Sequence, residues 1–285
     1  MAIVYLNGRF VPEAEALIPA SDRGFVFGDG IYEVVRILEG RVFAWDAHAA
    51  RMTQGLAGIR IDAFGASDVA ALHEVCTRLV RENDLATGEA TVYLQVSRGA
   101  ATRTHHFPPA GTPATVYAAA QRFTPNFAMR DQGAKGITFA DIRWARCDLK
   151  TVNLLGPVLA RQAAKEHEAY EAILHRDGMV TEGAATNAFA VIHGVLRTHP
   201  LTHHILPGIT RAILMEIIRE LGIPCEERPV SLQELPGVDE LFVCGTTTDV
   251  QPIVTLDGKP VGGGVPGPIT VRIREAFATR LYGQG

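Results

Sequence analysis

Short runs of alternating apolar and polar residues open the chain and predict strands. Residues 3–6 and 9–11 flank Asn7-Gly8, a dipeptide that favours a two-residue hairpin turn. Residues 31–38 predict a longer strand, with Tyr32, Val34 and Arg36 on one face and Ile31, Glu33 and Val35 on the other. Glu39-Gly40 turns the chain into residues 41–43. The period then lengthens. Residues 46–59 predict a helix with His48 and Arg51 on one face, weakened in its second half by Gly55 and Gly58. Ser67 is placed to cap a helix over 68–83 whose apolar face is Val69, Leu72, Val75, Cys76 and Leu79. Strands over 90–97 and 114–120 follow. The long loop between them concentrates Arg98, Arg103, His105 and His106, and loops of that length usually have a function.

Residues 121–132 are polar, contain Pro125 and show no period, which predicts a linker between two halves. The second half reads as a strand over 137–143, a helix over 155–167 and a strand over 171–175 turning at Asp177-Gly178. A hairpin through His193-Gly194 comes next. Residues 205–211 then open an amphipathic helix to Leu221, with Gly222 as its stop signal. A buried strand over 241–243, a strand pair turning at Asp257-Gly258, a glycine-rich loop over 262–267 and a helix from about residue 269 complete the pattern.

At 285 residues the chain fits one large or two modest domains. A net charge of −4 gives no electrostatic footprint for nucleic acid or an anionic membrane, so an anionic ligand has to be held by a local cluster. The first residues lack the basic and apolar regions of a signal peptide. No apolar run reaches the ~18 residues of a membrane span. Cys76, Cys147, Cys225 and Cys244 are far apart and form no C-x-x-C, which argues against disulfides and structural zinc and predicts a cytoplasmic protein. Gly28-Asp29-Gly30 is too short for a dinucleotide fingerprint and precedes a strand instead of a helix.

The chain has four lysines, Lys135, Lys150, Lys165 and Lys259. Three lie in polar loops, turns or helix faces. Lys150 alone is followed by an apolar run, residues 152–155, broken only by Asn153. A desolvated lysine loses its proton readily and becomes a nucleophile, although an apolar neighbourhood equally suits a lysine stem lying over a surface. Gly208-Ile209-Thr210 at a helix start, Gly245-Thr246-Thr247 after a strand, and Arg51 all suit an anion. A nucleophilic lysine with phosphate donors fits a phosphate-bearing aldehyde, pyridoxal phosphate, whose ring nitrogen needs a carboxylate. Glu182, before Gly183, is the candidate, and an exposed loop glutamate is the alternative. His199, His203 and His204 lack a carboxylate or cysteine at ligand spacing and predict no metal site.

These runs together resemble a known family. Asp22-Arg23-Gly24, Phe27-Gly28-Asp29-Gly30, Tyr32-Glu33-Val34-Val35, Arg103-Thr104-His105 and Phe107-Pro108 come first. Ile142-Arg143-Trp144, Arg146-Cys147-Asp148, Lys150, Asn153-Leu154-Leu155-Gly156 and the run 170–176 follow. Thr181-Glu182-Gly183, Asn187 and Gly208-Ile209-Thr210-Arg211 complete the order. The chain is similar, over nearly its whole length, to the fold-type IV pyridoxal-phosphate aminotransferases, and most resembles those acting on D-amino acids. The resemblance implies an α/β (α+β) fold of two domains: a smaller N-terminal α/β domain over 1–120, a linker over 121–132 and a larger C-terminal pseudo-barrel domain over 133–285 that binds the cofactor. It implies that Lys150 holds the cofactor aldehyde and moves the proton, and that Glu182 faces the pyridine nitrogen. Arg51, Ile209, Thr210 and Thr246 would bind the phosphate, Leu206 would pack on the ring, and Tyr32, Arg103 and His105 would trap the substrate carboxylate. It also implies a homodimer, with D-amino acids and 2-oxo acids as substrates. The chain departs from the family pattern at Ala184, Ala185, Thr186 and Gly245, where serines are expected. An L-branched-chain aminotransferase, which should lack the Arg-x-His pair, an aminodeoxychorismate lyase and a non-catalytic carrier of the cofactor are the competing readings.

Overall fold

The computed structural model describes residues 2–283. The chain forms two compact units, Met1–Thr124 with Leu149–Leu154, and Pro125–Asp148 with Leu155–Gly285.

The first unit is built on six strands: β1 (Ile3–Leu6), β2 (Arg9–Pro12), β3 (Gly30–Leu38), β4 (Arg41–Val42), β5 (Glu89–Ser97) and β6 (Thr115–Arg122). They pair in the order β2-β1-β6-β5-β3-β4, antiparallel throughout. The β1–β2 turn takes Asn7 and Gly8 to φ 48° and 87°, as a two-residue hairpin requires. Three helices belong here: α1 (Arg23–Phe27), α2 (Trp45–Gly58) and α3 (Ala66–Glu82). Ile31, Val35 and Ile37 of β3 and Val92, Leu94 and Val96 of β5 form one core with Met52 and Leu56 of α2 and Val69, Leu72, Cys76 and Leu79 of α3. Those α3 residues are the apolar face expected from the period. The cap differs. The helix starts at Ala66, and the Gly65 N–H donates to Asp68 Oδ2 at 2.8 Å, so Ser67 is not the cap. Helix α1 departs from the sequence pattern, which shows only a glycine-rich stretch there. Asp22 nucleates it by accepting from the Gly24 N–H, and Gly28 ends it in the left-handed region at φ 68°.

The second unit holds α4 (Phe127–Gln132), β7 (Ala134–Ala140), α5 (Leu155–Glu166), β8 (Glu171–Arg176), β9 (Met179–Gly183), β10 (Asn187–Ile192) and β11 (Val195–Thr198). It continues through α6 (Ile209–Glu220), β12 (Cys225–Glu226), β13 (Glu240–Gly245), β14 (Asp249–Leu256), β15 (Lys259–Pro260) and α7 (Pro268–Tyr282). One mixed sheet runs β12-β11-β10-β13-β14-β7-β8-β9, with β15 added on β14. β7 and β8 are parallel and α5 makes the crossover between them, the connection a parallel pair needs. The boundary between the two units, at Thr124 and Pro125, falls inside the segment 121–132 expected as a linker, which holds the end of β6, a short break and α4, capped by Asn126. The strand expected over 137–143 begins and ends three residues earlier. Residues 141–148 are then irregular, and Leu149–Leu154 leaves this unit for the other.

Candidate active site

In the first unit, residues 149–154 lie along β3. The Tyr32 N–H donates to the Lys150 carbonyl at 2.9 Å, the Val152 N–H to the Gly30 carbonyl at 3.0 Å, and Ile31 and Thr151 form an antiparallel bridge. This pairing places Lys150 by backbone bonds and not by a flexible tether. Its Nζ stands 4.2 Å from the centroid of the Tyr32 ring. Among the described residues no carboxylate pairs with Lys150, so its amine is not committed to a counter-ion. Tyr32 stacks in turn on Tyr93, with centroids 5.7 Å apart.

Arg51 is buried on α2, where its Nε and Nη2 each lie 2.7 Å from the Glu33 carboxylate. His48 Nδ1 meets the same carboxylate at 2.8 Å. Burial alone would raise the Glu33 carboxyl. The Arg51 charge and its hydrogen bonds, with those of His48, outweigh it and bring the pKa down to about 2. The one helix face that carries His48 and Arg51 is thus explained by a residue whose partners the sequence did not name, Glu33. Arg103 and His105 are exposed on the loop after β5, and both pack on Phe27.

In the second unit, Glu182 lies on β9 and is 3% exposed. Arg143 Nη1 donates to its Oε1 at 2.5 Å, Asn187 Nδ2 to its Oε2 at 2.8 Å, and the Leu206 N–H to both oxygens at 3.1 Å. Arg143 is itself fixed by Asp141, through Nε at 2.9 Å and Nη2 at 2.8 Å. Burial dominates at Glu182 and pushes it up to about 7 despite the opposing pull of Arg143 and the Leu206 N–H. Asn187 also holds Leu206 directly, since its Nδ2 donates to the Leu206 carbonyl at 2.9 Å. Arg143 and Asn187 are visible in the sequence only as members of matching runs. Their bonds to Glu182 span 39 and five residues, and neither follows from local pattern.

Ile209 and Thr210 begin α6, which has Gly208 at its N-cap and no side-chain cap. A Cβ on Gly208 would stand 2.0 Å from Asn187 Oδ1, so only glycine lets the helix start approach that amide. Thr246 follows β13 in a turn closed by the Thr248 N–H on the Gly245 carbonyl at 3.2 Å. Two of the departures from the family pattern, Ala184 and Thr186, have local explanations. Ala184 belongs to an apolar cluster with Ala160, Ala164, Ala172 and Leu174, and Thr186 donates its hydroxyl to the buried Glu171 at 3.0 Å. At Gly245 a Cβ would meet nothing nearer than 3.7 Å, so nothing steric forbids a serine. His203 and His204 contact each other with ring centroids 4.2 Å apart. Among the described residues no group of three or more His, Cys, Asp or Glu is arranged to hold a metal ion.

Residues 30–256 match the family described as amino-transferase class IV. The chain belongs to this family. It is 40% identical over 277 residues to a D-alanine aminotransferase of Staphylococcus aureus (strain COL), covering 97% of each chain. It is 39% identical over 283 residues to a D-alanine aminotransferase of Bacillus licheniformis, covering 99% of this chain and 98% of the relative. Its fold is similar to that of a branched-chain amino acid aminotransferase of Escherichia coli, with TM-score 0.88, 28% identity, and coverage of 99% and 94% of the two chains. A second branched-chain amino acid aminotransferase, solved in complex with N-(5'-phosphopyridoxyl)-L-glutamate, matches with TM-score 0.87 and 28% identity over 100% and 95% of the chains. The protein is therefore a fold-type IV aminotransferase, and pyridoxal phosphate is the cofactor of this class. The residues in place fit it. In the first unit, an amine with no carboxylate paired to it among the described residues suits an aldehyde; in the second, a buried carboxylate and a helix N-terminus without a side-chain cap suit a ring nitrogen and a phosphate.

Proposed function

We propose that this class IV aminotransferase moves the amino group of a D-amino acid, of the D-alanine or D-glutamate type, to a 2-oxo acid such as 2-oxoglutarate. The pair Arg103 and His105 carries the reading: an exposed arginine with no acid paired to it among the described residues, and a histidine beside it on one aromatic ring. Such a pair suits the α-carboxylate of a substrate. The identity to D-alanine aminotransferases over nearly the full length supports it. The structural likeness to branched-chain enzymes favours L-leucine-type substrates as the alternative, and that reading leaves the charge of the loop without a purpose.

We assign the roles as follows. Pyridoxal phosphate, when bound, supplies an aldehyde to take up the amino group and a ring to accept charge from the substrate Cα. Lys150 holds the cofactor and, once released, takes the proton from Cα and returns it. Glu182 keeps a proton on the pyridine nitrogen, with Arg143 and Asn187 fixing its carboxylate. Ile209, Thr210 and Thr246 hold the phosphate with Arg51, whose direction Glu33 sets, and Leu206 packs on the ring. Tyr32, Arg103 and His105 orient the substrate carboxylate, which selects the face of Cα presented to Lys150. We further propose a homodimeric, cytoplasmic enzyme. Leu155, Val158 and Leu159 of α5 form an exposed apolar stripe at i, i+3 and i+4 that suits a second copy.

The test is a half-reaction. Cofactor-loaded protein is mixed with D-alanine, L-alanine or L-leucine and the absorption of the bound cofactor is followed. Loss of the band with D-alanine alone is the expected result. Loss with L-leucine alone would move the enzyme to the branched-chain reading.

A further inference from the structure

The loop that carries Arg103 and His105 has almost no regular structure, so its geometry has to be imposed from below. Two buried arginines and one carboxylate form the base. Arg98 binds Asp29 through Nε at 2.8 Å and Nη2 at 2.9 Å, and donates to the carbonyls of Arg60 and Ile59, each at 2.7 Å. Arg23 shares Asp29 through Nε at 2.8 Å. Its Nη1 reaches the carbonyls of Thr104 at 2.8 Å and His106 at 3.4 Å, one on each side of His105.

Phe27 is half-buried and stands on this base. The Arg23 guanidinium carbon is 4.7 Å from its ring centroid, that of Arg103 is 5.2 Å away, and the His105 ring centroid is 5.7 Å away, tilted by 48°. Both guanidinium distances fall inside the ~6 Å range of a cation–π contact. An aromatic ring attracts a cation without neutralising it, whereas an acid at this position would consume the charge of Arg103. Asp29 already accepts from Arg23 and Arg98.

We propose that Phe27 is a positioning residue for recognition of the substrate carboxylate: its ring, seated on Arg23, sets the direction of Arg103 and His105 and leaves their polar groups available. The proposal rests on the reading of Arg103 and His105 as the carboxylate site. Phe27→Leu and Phe27→Tyr are compared with Arg103→Ala in the cofactor-loaded enzyme. KM and kcat for D-alanine are measured, together with the rate of reaction with hydroxylamine, which attacks the cofactor aldehyde but has no carboxylate. Loss of the two aromatic contacts in Phe27→Leu is expected to raise KM about 5- to 10-fold, with kcat within about twofold. The hydroxylamine rate stays at the wild-type value, and Phe27→Tyr restores the wild-type KM. An unchanged KM in Phe27→Leu beside a raised KM in Arg103→Ala overturns the proposal and leaves the carboxylate site standing. An unchanged KM in Arg103→Ala overturns the carboxylate site itself, and the proposal with it. A loss shared equally by hydroxylamine marks general damage and also overturns it.

Discussion

Glu33 and Glu182 are both almost fully buried carboxylates, yet their pKa values move in opposite directions. Glu33 receives two bonds from one guanidinium and a third from His48, and falls to about 2. Glu182 shares its arginine with Asp141, whose charge also opposes its ionisation, and burial lifts it to about 7. A lowered carboxyl pKa stabilises the fold above the unfolded value and loses that contribution as the pH falls through the folded value. For Glu33, the drop from 4.5 to about 2 corresponds to about 3 kcal/mol, complete above pH 4.5 and lost toward pH 2. Glu33→Gln is therefore expected to lower the urea midpoint strongly at pH 7, with the gap to wild type narrowing as the pH falls from 4.5 to 2. The same gap at pH 7 and pH 3 would show that the ion pair does not account for the loss. The sequence held the signal for this cluster: alternation put Glu33 on the core face of its strand, where a carboxylate requires a partner.

At the scale of elements, the two glycines that weaken α2 as a helix have a packing role. A Cβ on Gly55 would lie 3.1 Å from Ile31 Cδ1, and one on Gly58 would lie 2.6 Å from Leu149 Cδ2. The helix thus comes close to β3 and to the segment that carries Lys150. Gly58→Ala gains at most about 1 kcal/mol of helix propensity, against about 1–3 kcal/mol for overpacking against a buried leucine. A net loss of stability in urea titration is expected, together with slower transamination, because Leu149 adjoins Lys150. A more stable variant with unchanged turnover would show that Leu149 yields freely. The same scale explains why the sequence pattern does not assign residues 149–154 to the first unit. Their partners on β3 lie about 120 residues upstream, and no local period reports such a pairing.

For the whole molecule, the expected homodimer makes the exposed stripe of α5 testable. Leu155, Val158 and Leu159 are 69%, 57% and 46% exposed, more apolar surface than a free helix face usually leaves in water. Light scattering of the wild-type protein is expected to give twice the 30.8 kDa of one chain. Val158→Glu with Leu159→Glu, which puts two charges on that face, is expected to shift the mass toward one chain. A wild-type mass of one chain would remove the dimer. A charged double variant that stays dimeric would place the interface elsewhere. Among the described residues no helix is long and apolar enough to cross a membrane.

What the sequence determined by itself was local or periodic. The hairpin at Asn7-Gly8, the faces of β3, the apolar stripe of α3 and the starts of α5 and α6 follow from side-chain period and turn chemistry, which act over a few residues. Lys150 and Glu182 stood out for the same reason, each through its immediate neighbours and its place in an ordered set of motifs. The tertiary structure decided what those residues touch. It set Lys150 over Tyr32 through backbone bonds to β3, and tied Arg51 and His48 to Glu33. It also gave Glu182 an arginine, an asparagine and a backbone N–H from three separate stretches, and seated Arg103 and His105 on Phe27. Burial and partner geometry govern charge, and both depend on strand pairing and packing between residues far apart in the chain. Neighbouring residues and matched motifs could therefore mark the candidate groups, while only the folded arrangement gave each one its direction and its partners.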